Sequence, residues 1–230
     1  CRGRKLKEEK NLFMFFNNIR KDLFDKKDKD VEVKKIFDKL SMTSQKNKIM
    51  QKGLKESEAE LEIKLIRRRF HVLYELCKYY DVKNIAEVGT ANGCQFFTFA
   101  EYLKNHQKND CHVYSCDIVD IVDREYYEKY KDISSFTLGD SKKLSKNINK
   151  EIGLFFIDGA HDPGSVFYDI LNLKKHQSEK CIWIFDDFDE RFGSCIDLKI
   201  ITNSNHFAGL EKVKYQVTQD NNMLVLVGAL

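Results

Sequence analysis

The chain has one proline in 230 residues, so few of its loops are rigid. No stretch approaches the roughly 18 uncharged apolar residues that a membrane span needs. The opening residues C-R-G-R-K-L-K-E-E-K are charged and carry no apolar segment of the signal-peptide kind. They lack an initiator methionine too, as expected of a processed end or the edge of a longer chain. No C-x-x-C pair occurs among the seven scattered cysteines, Cys1, Cys77, Cys94, Cys111, Cys116, Cys181 and Cys195. That spacing argues against a zinc site and for a reduced, cytoplasmic protein with mostly buried thiols.

The chain does have enough apolar content for a full core, with 42% hydrophobic and 12% aromatic residues. Its net charge of +3 hides an asymmetry. Residues 1–80 hold 22 basic against 13 acidic residues, and residues 81–230 hold 17 against 23. Acidic and basic residues alternate in the first part, which reads as a solvated surface rather than a nucleic-acid face. The triplet Arg67-Arg68-Arg69 is expected in solvent on the same ground.

From residue 5 to 40, apolar residues recur at helical spacing: Leu12, Phe13, Phe15, Phe16, Ile19 and Leu23, then Val33, Ile36, Phe37 and Leu40. The polar run Asp25–Asp30 separates the two sets. Residues 41–53 read as a linker. A long helix is expected from Ser57 to Tyr80, with Ser57 as N-cap and Glu60 completing a capping box. Two units follow: a helical extension over 1–55, a lid or dimer arm, and a main domain over 56–230.

From Lys83 the texture changes to alternating strands and helices. Strands are expected at 84–88, 112–117, 134–138, 152–158 and 181–187, and a closing pair at 211–218 and 223–229 around the turn Gln219–Asn222. This is an α/β pattern: a Rossmann-like, seven-stranded, mostly parallel sheet with helices on both faces and an antiparallel C-terminal hairpin. Ligands bind such sheets at the carboxyl ends of the strands. Glu87, Asp117, Asp140, Asp158, Asp186 and Asp187 all fall at or just past strand ends, so they converge on one crevice. The stretch N-I-A-E-V-G-T-A-N-G, 84–93, places a strand, a carboxylate and a glycine turn before a helix, as a nucleotide-type pocket requires. Asp162 before Pro163 reads as a helix cap. Trp183 reads as core, Asp189 and Glu190 as surface. His71, His106, His112, His176 and His206 show no partner pattern.

On these residues the chain resembles class I S-adenosylmethionine-dependent methyltransferases, over about 57–230. E-V-G-T-A-N-G is similar to their first motif. The resemblance implies a cofactor site of Glu87, Gly89, Thr90, Gly93, Asp117, Gly139, Asp140, Ser141 and Asp158, with Asp117 on the ribose hydroxyls and Gly139–Ser141 near adenine. A narrower resemblance rests on I-D-G-A-H-D, 157–162, and F-D-D, 185–187. These are similar to metal-dependent O-methyltransferases of the catechol type and of the type acting on macrolide sugars. It implies Mg²⁺ on Asp158, Asp186 and Asp187, with His161 as general base and Asp158 beside it in catalysis. The catechol-type enzymes end strand five in Asp-Asn, whereas this chain has Asp-Asp. The acceptor implied is a hydroxyl of a sugar or small metabolite, and the assembly a homodimer. The rivals are an NAD-dependent oxidoreductase, for which G-x-G-x-x-G is missing, and a non-catalytic binding module of the same fold. RNA methylation would call for a motif such as N-P-P-Y, which does not occur.

Overall fold

A computed structural model describes residues 11–25, 31–51, 53–107, 109–205, 209–217 and 222–230. The expected helix start near residue 5, residues 26–30 of the polar break, His206 and the turn residues 219–221 lie outside them.

Seven strands form one sheet in the order β3-β2-β1-β4-β5-β7-β6. They are β1 Asn84–Val88, β2 His112–Asp117, β3 Ser134–Leu138, β4 Ile152–Ile157, β5 Gln177–Phe185, β6 Glu211–Gln216 and β7 Asn222–Val227. The first five are parallel, and β7 runs antiparallel between β5 and β6. The expected sheet is thus the observed one, although β5 begins at Gln177, four residues earlier than its apolar run. The order reverses at β1 and β4, so the crevice opens past the carboxyl ends of these two strands. Among the described residues, no helix is long and apolar enough to cross a membrane.

Side-chain alternation assigns each strand residue to one of two cores. Ile85, Val113, Leu154, Phe156, Ile182 and Ile184 pack on one face, against helices α4 (Glu56–Tyr80) and α5 (Cys94–His106). Ala86, Tyr114, Cys116, Phe155, Ile157, Trp183 and Phe185 pack on the other. That second face is covered by α7 (Ser141–Asn147), α8 (Ser165–Leu173) and α9 (Cys195–Asn203), while the short α6 (Arg124–Tyr130) lies on the first. The same alternation puts Glu87 on the α4 face and, carried one step past the strand ends, Asp158 and Asp186 as well.

The N-terminal helices α1 (Leu12–Asp25) and α2 (Val31–Leu40) join the first core rather than forming one of their own. Leu12, Phe15, Phe16, Val33, Ile36 and Phe37 are buried in it. Phe16 stacks on Tyr215 at 5.0 Å, and Phe37 meets Phe70 at 5.5 Å. Glu211 of β6 accepts hydrogen bonds from the first amides of α1, Leu12 N at 2.6 Å and Phe13 N at 3.2 Å. That satisfies amides a helix start leaves free.

Two local expectations fail. The segment read as a linker forms a helix, α3 (Met42–Gln51). Its composition is polar, but Met42 packs on the core, and packing outweighs weak propensity. The long helix starts at Glu56 rather than Ser57. Glu58, not Glu60, reaches back to an exposed amide, Lys55 N, at 3.0 Å.

Because Phe37 is fully buried, Phe37→Ala is expected to lower stability by about 3–5 kcal/mol in chemical denaturation. A loss below about 1 kcal/mol would make the N-terminal helices a loose attachment.

Candidate functional site

The loop after β1 is built by two close approaches. Gly89 has φ +94°, and a Cβ there would lie 1.9 Å from the Asp158 carbonyl oxygen. Only glycine lets the ends of β1 and β4 close this tightly. Gly93, φ +99°, turns the chain into α5 without a side-chain cap. The amides of Gly89 and Thr90 bond to the Cys116 carbonyl at 2.9 and 3.2 Å. Ala91 N donates to Asp117 Oδ2 at 2.8 Å, and Val119 N to Asp117 Oδ1 at 3.0 Å. The Asn92 amide donates to the Leu40 carbonyl, fastening the loop to the end of α2.

Beside this loop lies a cleft of about 310 Å³. Of the residues that the resemblance assigned to a cofactor, Gly89, Asp117, Gly139, Asp140, Ser141 and Asp158 line it. Glu87, Thr90 and Gly93 do not. Glu87 is buried in β1 and accepts a hydrogen bond from Ser115. Thr90 Oγ1 lies 2.5 Å from the same Ser115 hydroxyl. Gly93 sits against the Phe97 ring. These three shape the loop from behind.

The other end of the cleft is made by α7 and α8. Asp140 caps α7 through Lys143 N at 3.0 Å and accepts from the Tyr168 hydroxyl at 2.9 Å. The Lys143 amide bond, joined by that hydroxyl, holds its carboxyl below the usual range. Asp169 is buried, and burial pushes it up to about 6, with Ser141 opposing. Tyr168 and Asp169 were not read from the sequence; both lie mid-helix, where nothing separates them from ordinary surface and core positions. Asp162, expected to cap α8, offers only its carbonyl, to Ser165. The capping carboxylate is Asp197 of α9, which accepts from Gly164 N at 3.0 Å and Val166 N at 3.2 Å.

Among the described residues, the cleft lining contains four carboxylates, Asp117, Asp140, Asp158 and Asp169, and no lysine, arginine or histidine. A pyrophosphate would be repelled, whereas a nucleoside carrying a sulfonium and an amino group fits the charge.

Next to the cleft, Asp158, His161 and Asp187 place one ligating atom each within 4.8 Å of one another. His161 Nδ1 is 3.6 Å from Asp187 Oδ2, and its ring lies 4.7 Å from that of Phe192. Asp187 has φ 52°, which swings its side chain out of the strand's path. Asp186, the third residue expected on a metal, stands apart from this set. Its Oδ2 is held by Arg69 Nη1 of α4. Arg69 therefore departs from the expected solvated triplet: its side chain is 14% exposed, and that of Asp186 is 3% exposed. Burial raises the pKa of Asp158 well above the ordinary range, and Asp186 adds to the effect while Arg69 opposes it. Asp187 is raised by the same two causes, with His161 opposing. Burial works against the charge on Arg69, yet Asp186 and Asp158 hold it firmly protonated.

Comparisons with known proteins bear on the fold. Residues 86–188 match the family model described as a methyltransferase domain. A structure from Klebsiella pneumoniae, provisionally described as an O-methyltransferase, aligns over 93% of this chain and 96% of its own, with TM-score 0.56 and 15% identity. An O-methyltransferase from Bacillus cereus in complex with SAH aligns over 84% and 96%, with TM-score 0.51 and 17% identity. An rRNA methylase from Streptococcus thermophilus aligns over 70% and 96%, with TM-score 0.54 and 12% identity. At such identities the likeness is one of fold. The search of curated proteins returned no match. The sheet order and its antiparallel last strands are those of the Rossmann-like methyltransferase fold.

Burial pushes Glu87 up to about 8 from its ordinary 4.5, with the Ser115 hydrogen bond opposing. The folded state therefore holds the proton more tightly. This stabilisation is complete below about 4.5 and is lost as pH rises through about 8, at about 1.4 kcal/mol per unit. Glu87→Gln is expected to flatten the fall of thermal stability over that window. Equal slopes for variant and wild type would mean that Glu87 is ionised in the fold.

Proposed function

We propose that the protein methylates a hydroxyl of a sugar or other small hydroxylated metabolite, with Mg²⁺ at the site and His161 as general base. The observation that carries this reading is Asp158. It lines the cofactor cleft and also belongs to the cluster with His161 and Asp187. The reactive end of a ligand in the cleft would thus lie beside a group able to take a proton.

The cofactor, when bound, supplies an electrophilic methyl group on its sulfonium. Asp117 would receive the ribose hydroxyls with its remaining lone pairs, since each oxygen holds only one amide. Asp140, Ser141 and Tyr168 would bound the adenine end. Asp158 and Asp187 offer the oxygen ligands that a hard divalent cation prefers, and such a cation acidifies a hydroxyl placed on it. That leaves the imidazole for proton transfer. Asp187 Oδ2 stands 3.6 Å from Nδ1, so Nε2 would be the atom to accept the acceptor's proton. What the protein must do beyond this is align the oxygen with the methyl group and exclude water.

The rival oxidoreductase reading would place a pyrophosphate on a lining whose charged side chains, among the described residues, are all carboxylates. The proposal extends to a cytoplasmic homodimer. The six described cysteines are all free, as suits a reducing compartment.

Equilibrium titration separates the rivals. S-adenosylhomocysteine is expected to bind and NADH is not; NADH binding alone would reverse the assignment. Methyl transfer to a panel of sugar nucleotides and catechols, with Mg²⁺ and with chelator, then tests acceptor and metal. Full turnover in excess chelator would remove Mg²⁺ from the scheme. His161→Ala is expected to leave S-adenosylhomocysteine affinity intact and to cut turnover by roughly 10²–10⁴. A fall of less than about fivefold would make the histidine a bystander.

A further inference from the structure

The geometry points to Arg69 as a fixed counter-ion that withholds Asp186 from the cation site and limits that site to one divalent ion on Asp158 and Asp187. This rests on the metal reading above and goes beyond it. Sheet alternation delivers both Asp158 and Asp186 to the face covered by α4, and Arg69 is the cation that α4 places there. Its Nη1 grips Asp186 Oδ2. Its guanidinium carbon lies 4.9 Å from the centre of the Phe70 ring and 5.9 Å from that of Phe156, so aromatic faces hold it in place. A guanidinium does not give up its proton inside a protein, so this charge is permanent.

The charge count follows. Asp158, Asp186 and Asp187, when ionised, carry three negative charges, and Arg69 cancels one. One divalent cation matches the remaining two, and a second would leave a buried excess of positive charge. The ligating atoms that converge exclude Asp186: those of Asp158, His161 and Asp187 lie within 4.8 Å of one another. Asp186 Oδ1 is buried with no hydrogen-bond partner among the described residues, which makes it the rival ligand. A site that draws on Asp186 would have to share it with Arg69.

The test is calorimetric titration of the full chain with Mn²⁺, with bound metal counted by electron paramagnetic resonance. The wild type is expected to take one equivalent. Asp186→Asn can still accept from Arg69 and is expected to bind Mn²⁺ within about threefold of wild type, whereas Asp187→Asn loses about tenfold or more. Arg69→Gln frees Asp186 and is expected to tighten binding about tenfold or admit a second equivalent, with Arg69→Lys restoring wild-type behaviour. The inference is overturned if Asp186→Asn weakens binding as much as Asp187→Asn, or if folded Arg69→Gln binds as wild type does. Should Arg69→Gln not fold, the two aspartate variants decide alone. A wild type that binds S-adenosylhomocysteine but no Mn²⁺ would sink the metal reading, and this inference with it.

Discussion

Burying several carboxylates at one edge of a sheet, with the buried Arg69 among them, is the constraint on which the rest of the site depends. Glu87, Asp158, Asp186 and Asp187 end or follow three adjacent strands, β1, β4 and β5. In a low-dielectric setting such groups must be protonated or matched by positive charge. Arg69 meets Asp186, Glu87 keeps its proton near neutrality, and Asp158 and Asp187 are driven upward. The remaining demand for positive charge is what a sulfonium cofactor and a divalent ion would supply.

The helices before the sheet belong to this arrangement. Arg69 lies on α4, outside the segment that matches the methyltransferase-domain model. Leu40, at the end of α2, receives the Asn92 side chain of the glycine loop. Lys39 beside it bonds Glu125 at 2.6 Å, tying α2 to α6. Glycine loop, carboxylate edge and N-terminal helices are therefore mechanically joined through one core.

The sheet was legible because its strands are short apolar runs of the right period, and the crevice because acidic residues recur at their ends. Gly89 was legible as a turn residue, but the sequence could not show that its missing side chain makes room for the Asp158 carbonyl. Arg69 was not legible. It sits in a run of three arginines, and its partner lies 117 residues away. Helix periodicity alone does not say which of three adjacent cations turns inward. Asp186 and Asp187 read as equivalent neighbours, yet alternation and a left-handed backbone at Asp187 send them to different partners. Polar α3 was missed because its stability comes from what it packs on, not from its own pattern.

The central claim is that the carboxylate-lined cleft seats the cofactor with its sulfur toward Asp158 and His161. A crystal structure of the protein with S-adenosylhomocysteine tests it most directly. The account predicts the adenosine between Asp117 and the Asp140–Tyr168 pair, with the sulfur beside Asp158 on the His161 side. A nucleoside bound at the opposite, amino-terminal edge of the sheet, or a sulfur facing away from His161, would contradict it.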